Sequence, residues 1–511
     1  MFHRPTFQKE YQKFWADPPA TPIIWVGLLY AFMVLATFST LSSGEEHPDS
    51  RGTAMEMIQK YRNCCVQALA LSNYTKPGPY TIETLIVYME SEFVMAKDNQ
   101  VQFYLLVGNT VRLALRMGLH RDATKVSSNI SPFQAEMRRR TWNHLVQIDL
   151  LSSFHIGLPG MFQGIDSDTL LPSNLRDEDF GQDSNELPQP RPDTELTTVS
   201  YSIFKGRLCK ISGKIASLAN RLTLPTYAET MRLDKLLHQA YGMVPHPFQL
   251  QLSEFSILDS SELMIKRFSL ALIYQKSRCM LHRKFMMKDE SPEYVYSNEA
   301  GLDASMQLLR YQGMLHEAAL PGGPLSRDRW FLNSLSMHDF LLAAMIVYLA
   351  VIRTTKSPAI GTPLLSQKQK EMVNALNVSC AIWNQTQNPP PDVKKATEAL
   401  GVTLKKMDLD PNLILQSNNE DLQNGTFRPQ SGANSVSRSS VSDIGQLSYS
   451  TSLENVSNQE FWLTGTLGNV IPPSNLEYSQ DFGLMMPLES LGAMIEFPND
   501  IDWVSRFRPL V

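Results

Sequence analysis

Residues 117–174 constrain this chain more than any other stretch. Met117-Gly118-Leu119-His120-Arg121-Asp122 closes one helical pattern, and a loop leads to Ser131-Pro132-Phe133. A second long pattern runs through Glu136, Arg138-Arg139-Arg140, Trp142 and Asp149 to Gly157-Leu158-Pro159, followed by Asp166, Asp168 and Leu171-Pro172. Glycine just past the last periodic residue stops a helix, and proline at the first helical position starts one. The spacing therefore predicts a helix ending at Gly118 and a second opening at Ser131-Pro132, with Glu136 in its first turn and a stop at Gly157. Three consecutive arginines point around a helix, so at least one faces inward. A buried guanidinium needs an acidic partner. Glu136, Asp149 and Asp166 are the candidates, with Asp149 expected to pair with Arg139 or Arg140 and Trp142 expected in the core. The competing role is contact with DNA phosphates, which guanidinium forks also match. The pairing requirement favours the internal role.

Helical periodicity extends on both sides. Between Asp98 and Met117, residues Val101, Tyr104, Leu105, Gly108, Val111 and Leu115 recur at close to i, i+3, i+4, i+7. Asp98 or Asn99 is the expected N-cap. Thr81 to Ala96 reads likewise, with Thr81 as a cap after Pro77-Gly78-Pro79. Further helices are expected over 199–222, 260–287, 300–318, 330–352, 367–384 and 391–407. Gly181 to Thr198 is a polar, proline-rich loop. No long β alternation occurs. The expected class is all-α, an antiparallel multi-helix bundle of stacked helix pairs, occupying residues 1–410. Residues 411–460 form a Ser/Asn/Gln-rich linker without the apolar surface to offset ordering entropy. In 461–511, Phe482, Leu484, Met485, Met486, Ile495, Phe497 and Trp503 interleave with Asp481, Glu489, Glu496, Asp500 and Asp502. That mixture marks either an activation segment or a terminal element docking on the core.

Composition removes several function classes. The net charge of −5 argues against a surface dominated by nucleic-acid contacts. Five cysteines, Cys64, Cys65, Cys209, Cys279 and Cys380, are scattered, whereas zinc needs four converging ligands, usually from close pairs. No metal ligand set is read. His120-Arg121-Asp122 and Asp481-Phe482-Gly483 mimic kinase triplets, but the catalytic-loop Asn and the Gly-rich loop are missing. Gly157 to Gly160 and Pro321 to Pro324 are turns, not phosphate cradles. No catalytic or cofactor-binding residue is assigned, and no enzyme is expected. Residues 23–41 are uncharged and nearly long enough to span a bilayer. Without flanking Lys or Arg to orient the run, a core helix is preferred and a membrane role is disfavoured.

The segment 117–174 resembles the middle homology region of fungal zinc-cluster transcription factors. The resemblance rests on Gly118-Leu119-His120-Arg121, Pro132-Phe133, Glu136 with Arg138, Arg139, Arg140 and Trp142, Asp149, Gly157-Leu158-Pro159, and Leu171-Pro172. It is strongest over 81–180. Looser matches are Phe7 to Trp15, Leu281-His282-Arg283, Trp330, and Asp339 to Ala350. It implies an all-α regulatory domain, a nuclear location, control of RNA polymerase II genes through the transcription machinery, and a small-molecule effector or an inactive hold. Homodimerisation is left open. Members of that family carry six cysteines near the N-terminus that bind two zinc ions and read DNA. That block is missing here, so zinc and direct DNA contact are expected only if it lies upstream of Met1. The alternative is a cofactor or small-molecule-sensing module acting through another factor.

Overall fold

Two long helices, each buried on more than one side, set the arrangement of the whole domain. In the computed structural model residues 1–404 are described, except 45–50, 96–99, 127–128, 222, 224, 251–258, 287–291, 329–336, 357–366, 387–392, 399 and 402–403. The linker and tail readings, the caps at Asp98 and Asn99, and Trp330 lie outside the described residues. Everything described belongs to one compact unit. Among the described residues there is no strand, so the all-α expectation holds.

The helices are α1 Arg4–Ala16, α2 Ile23–Ser43, α3 Ala54–Leu71, α4 Thr81–Met95, α5 Gln100–Arg116, α6 Ala123–Val126, α7 Pro132–Ile156, α8 Ser200–Ala219, α9 Tyr227–Gly242, α10 Ser261–Met286, α11 Val295–Ala318, α12 Met337–Lys356 and α13 Gln367–Gln385. Their ends follow local chemistry. Ser131 caps α7 by accepting from the Gln134 amide, and the Gln134 side chain returns to the Ser131 amide. Glu136, the fifth residue of α7, therefore lies just past the first turn, in which it was expected. Gly118 and Gly157 both take positive φ, at 70° and 72°. After α5, the amide of Leu119 reaches the Ala114 carbonyl and that of Gly118 the Leu115 carbonyl, the paired bonds that close a helix on an αL residue.

Three apolar cores stack through shared helices. Leu28, Leu35, Ile86, Val107, Val111, Trp142 and Leu145 unite α2, α4, α5 and the first half of α7. Leu150 and Phe154, in the last turns of α7, join a second core with Phe204, Leu208, Leu237 and Leu270 from α8, α9 and α10. The other side of α10 enters a third core with α11, α12 and α13, through Phe268, Leu308, Val347 and Leu376. A helix apolar on several sides must be buried on several sides. α10 also carries Lys276 inward. Its ammonium pairs with buried Asp339 of α12 and lies 4.4 Å from the centre of the Phe154 ring on α7.

Four of these helices, α1, α3, the short α6 and α9, lie where the periodicity gave no helix. α3 exposes Met55, Val66 and Leu71, which blurs its apolar stripe. α2 passes the length and hydropathy test for a membrane span, but more than half of its most apolar window is buried. Its partners are α3 and α4. Gly27 makes that approach: a Cβ there would lie 2.9 Å from the Ala68 Cβ. We predict that Gly27→Val shifts the urea midpoint downward, with a loss of about 1–3 kcal/mol from overpacking. Gly78→Ala, which meets nothing within 4 Å, is expected to change stability by less than about 0.5 kcal/mol.

Candidate functional site

The first half of α7 and the loops 117–122 and 165–180 enclose a cluster of buried charges. Arg139 presents both Nε and Nη2 to Asp122, each at 2.8 Å. Asp122 is fully buried and also accepts from the Leu170 amide (3.0 Å) and from Thr124 Oγ1 (2.6 Å). The Arg139 fork holds the Asp122 carboxyl well below the usual carboxylate range, with Thr124 and Leu170 adding to it against burial. Arg140 donates from Nε to Glu136 (3.2 Å) and from Nη1 to Asp177 (2.7 Å), with its plane 5.2 Å from the Phe180 ring centre. Glu136 accepts the Ser173 amide, just after Pro172, at 3.1 Å. Burial raises the Glu136 carboxyl, opposed by Arg140 and that amide.

The chain start is drawn into the same cluster. Asp177 Oδ2 accepts the Arg4 amide at 3.0 Å, and His3 Nε2 lies 2.7 Å from the Asp177 carbonyl and 3.1 Å from that of Phe180. Carbonyls only accept, so that nitrogen carries the proton.

The remaining signature residues are structural as well. Arg138 donates to the Met117 carbonyl at 2.9 Å, across from Gly118. Arg121 pairs with Asp168, which also accepts the Asp122 amide at 2.8 Å. Trp142 is in the core, as expected, and donates to Ser167 Oγ at 3.0 Å, while Ser167 donates to the His120 carbonyl at 2.9 Å. The Pro159 carbonyl accepts from Tyr104 at 2.9 Å.

Two expectations need correction. Asp149 pairs with neither Arg139 nor Arg140; it turns to the other side of α7, where Oδ2 accepts the Phe162 amide at 3.2 Å. Asp166 is not a partner either. Of the expected acids only Glu136 serves, on Arg140; the others that serve are Asp122 and Asp177, which the sequence reading missed. Asp122 was visible inside the 117–122 motif, but nothing local says that a residue 17 positions away closes on it. His3, Phe180 and Ser167 carried no sequence signal at all.

Chemically the cluster is scaffolding. Its carboxylates are engaged by guanidinium groups or amides, and Ser167 is taken up between Trp142 and the His120 carbonyl. The cysteines do not fit a zinc site. Cys65, Cys209, Cys279 and Cys380 are buried in three different cores. Burial pushes the Cys209 thiol up to about 11 and Cys279 to about 12, opposite to what a thiolate ligand requires. Among the described residues no three His, Cys, Asp or Glu side chains converge as a metal set. A cleft of about 260 Å³ opens beside His3, Thr6, Lys9, Phe180 and Asp183.

Arg139→Met strands a buried carboxylate and is expected to cost about 3–5 kcal/mol, measured by urea unfolding. Arg139→Met combined with Asp122→Asn is expected to recover part of the loss, and Arg139→Lys to lose the fork geometry. Because the folded Asp122 carboxyl titrates below its unfolded value, its contribution is complete above about pH 4 and lost as pH falls further. An acid-unfolding midpoint that Asp122→Asn leaves unchanged would contradict this.

Comparison with known proteins places the chain. The fungal-specific transcription factor domain matches residues 1–260. The chain is 38% identical over 412 residues to the Zn(2)-C6 fungal-type transcription factor mpsB of Macrophomina phaseolina, covering 80% of this chain and 55% of that protein. It is 35% identical over 418 residues to the equisetin cluster transcription factor eqxF of Fusarium heterosporum, covering 80% and 59%. It is 30% identical over 404 residues to the transcription factor cghF of Chaetomium globosum, covering 78% and 70%. The chain thus spans little more than half the length of the first two relatives. No solved structure matches it. Carrying that domain over its first half, in a helical scaffold held by the arginine run of α7, the chain belongs to the fungal-specific transcription factor family.

Proposed function

We propose that this chain is the helical regulatory region of a Zn(2)-C6 transcription factor that acts in the nucleus on RNA polymerase II genes. The observation that supports it is the charge cluster itself. The residues that carry the resemblance, Arg138, Arg139 and Arg140 with Glu136 and Trp142, are turned inward as scaffold, and the family match covers that whole segment. Relatives of similar sequence bear names of cluster transcription factors, and none of those named above is called an enzyme. A gene-control role without catalysis is the consistent reading for this chain.

DNA contact in this reading comes from a six-cysteine zinc cluster encoded upstream of Met1. The alternative is a cofactor or effector-sensing module working through another factor. Sequencing the genomic DNA and transcript upstream of Met1 separates them: an in-frame six-cysteine block supports direct DNA binding, and its absence supports the cofactor. For the tail, residues 411–511 fused to an unrelated DNA-binding domain are expected to raise reporter expression several-fold. No activation would remove that segment from the role.

A further inference from the structure

Two Ser/Thr-Pro dipeptides lie among the described residues, Thr21-Pro22 and Ser131-Pro132. A protein kinase that requires proline after its target residue binds the substrate in an extended form. Proline suits the next pocket because it leaves no amide N–H there without an acceptor. The fold treats the two motifs differently. Ser131 is committed: its hydroxyl oxygen accepts the Gln134 amide at 3.2 Å, and Pro132 is already the first residue of α7. Extending that motif means unwinding a capped turn.

Thr21-Pro22 is open. It joins α1 to α2, with Ala20, Pro22 and Ile23 exposed and Thr21 half-buried. Thr21 (φ −79°, ψ 131°) and Pro22 (φ −58°, ψ 131°) are both extended. The Thr21 hydroxyl donates to the Asp17 carbonyl at 3.5 Å, a distance at which little bond energy is left. Pro19 stands two residues before Thr21. Each proline ring fixes φ in advance, which lowers the entropy lost when the segment is held extended. We propose that Thr21 is a phosphorylation site for a proline-directed protein kinase, and that its phosphate caps α2. In the transfer, Thr21 Oγ1 attacks the γ-phosphorus of magnesium-bound ATP. The bond from that phosphorus to the bridging oxygen breaks, ADP leaves, and the hydroxyl proton passes to the kinase's aspartate.

The start of α2 has room for that charge. Pro22, its N-cap residue, makes no side-chain capping bond, and the Pro22 carbonyl accepts the Trp25 and Val26 amides at 2.9 and 3.3 Å. The Ile23 and Ile24 amides have no acceptor among the described residues, and the first turn holds no acid. Phosphate oxygens tethered one residue before the cap meet those amides and the positive end of the helix dipole. Asp17 is the opposing charge, and Lys13 lies in the last turn of α1. Glu10 is already taken up by Trp25 Nε1 at 3.1 Å and by the Tyr80 hydroxyl. The modification is independent of whether the chain contacts DNA.

The whole folded chain, incubated with magnesium-ATP and a purified kinase of the mitogen-activated class, tests this by site-mapping mass spectrometry. Thr21 is expected to take up phosphate roughly tenfold faster than Ser131, because the capped turn of α7 must first open. Thr21→Ala is expected to abolish that uptake, and Pro22→Ala to slow it strongly. In the phosphorylated chain, amide exchange at Ile23 and Ile24 is expected to slow by roughly two- to fivefold, while amides in α13 do not change. No phosphate on Thr21, uptake at Ser131 at the same rate, or an undiminished rate in Pro22→Ala overturns the site. Unchanged exchange at Ile23 and Ile24 overturns the cap. If Pro22→Ala fails to fold, synthetic peptides of residues 15–27 with and without that substitution decide the proline requirement.

Discussion

Asp122 has no exposed surface, and its negative charge is tolerable there only because Arg139 meets it with two parallel hydrogen bonds. That pair depends on α7 being in one register. Rotating the helix by one residue would carry the Arg139 fork away from Asp122 and the Arg140 fork away from Asp177. An apolar interface tolerates small slips, because one methyl replaces another. A planar fork facing a carboxylate does not. The pairs thus fix how loops 117–122 and 165–180 wrap the first half of α7.

The same logic recurs deeper in the molecule. Lys276 is turned inward on α10, where it meets Asp339 of α12 and the face of Phe154 from α7. One charge thereby aligns three helices where the cores meet. Buried ion pairs contribute little net stability, because desolvation offsets much of their attraction. Their effect is on which packing is allowed, and the two-sided helices α7 and α10 are where alternatives would otherwise be most numerous. The end of α7 works differently. Asp149 has no cation there, and its Oδ2 accepts the Phe162 amide instead.

Much of this was legible along the chain. Gly118, Ser131-Pro132 and Gly157 mark helix ends because capping is a matter of three or four adjacent residues. The long patterns of α4, α5, α7, α10 and α13 could be read because their apolar positions repeat within the element. α3 and α9 escaped, since their exposed apolar and buried polar residues answer to neighbours that are remote in sequence. That α2 is a core helix follows from Gly27 meeting Ala68, a contact that its own composition does not announce.

The sequence by itself determined that the fold is helical, where several helices begin and end, and that an inward arginine needs an acid. Apart from Glu136, an i,i+4 neighbour of Arg140 on α7, which acid was decided by the tertiary structure. Asp149, Glu136, Asp122 and Asp177 are chemically alike, and several lie on or beside the same segment. Only the path of loops 117–122 and 165–180 brings Asp122 and Asp177 to the guanidinium groups and turns Asp149 toward Gly160. Local propensity acts over a few residues, whereas charge pairing acts over distances in space, and the chain does not record those until it has folded.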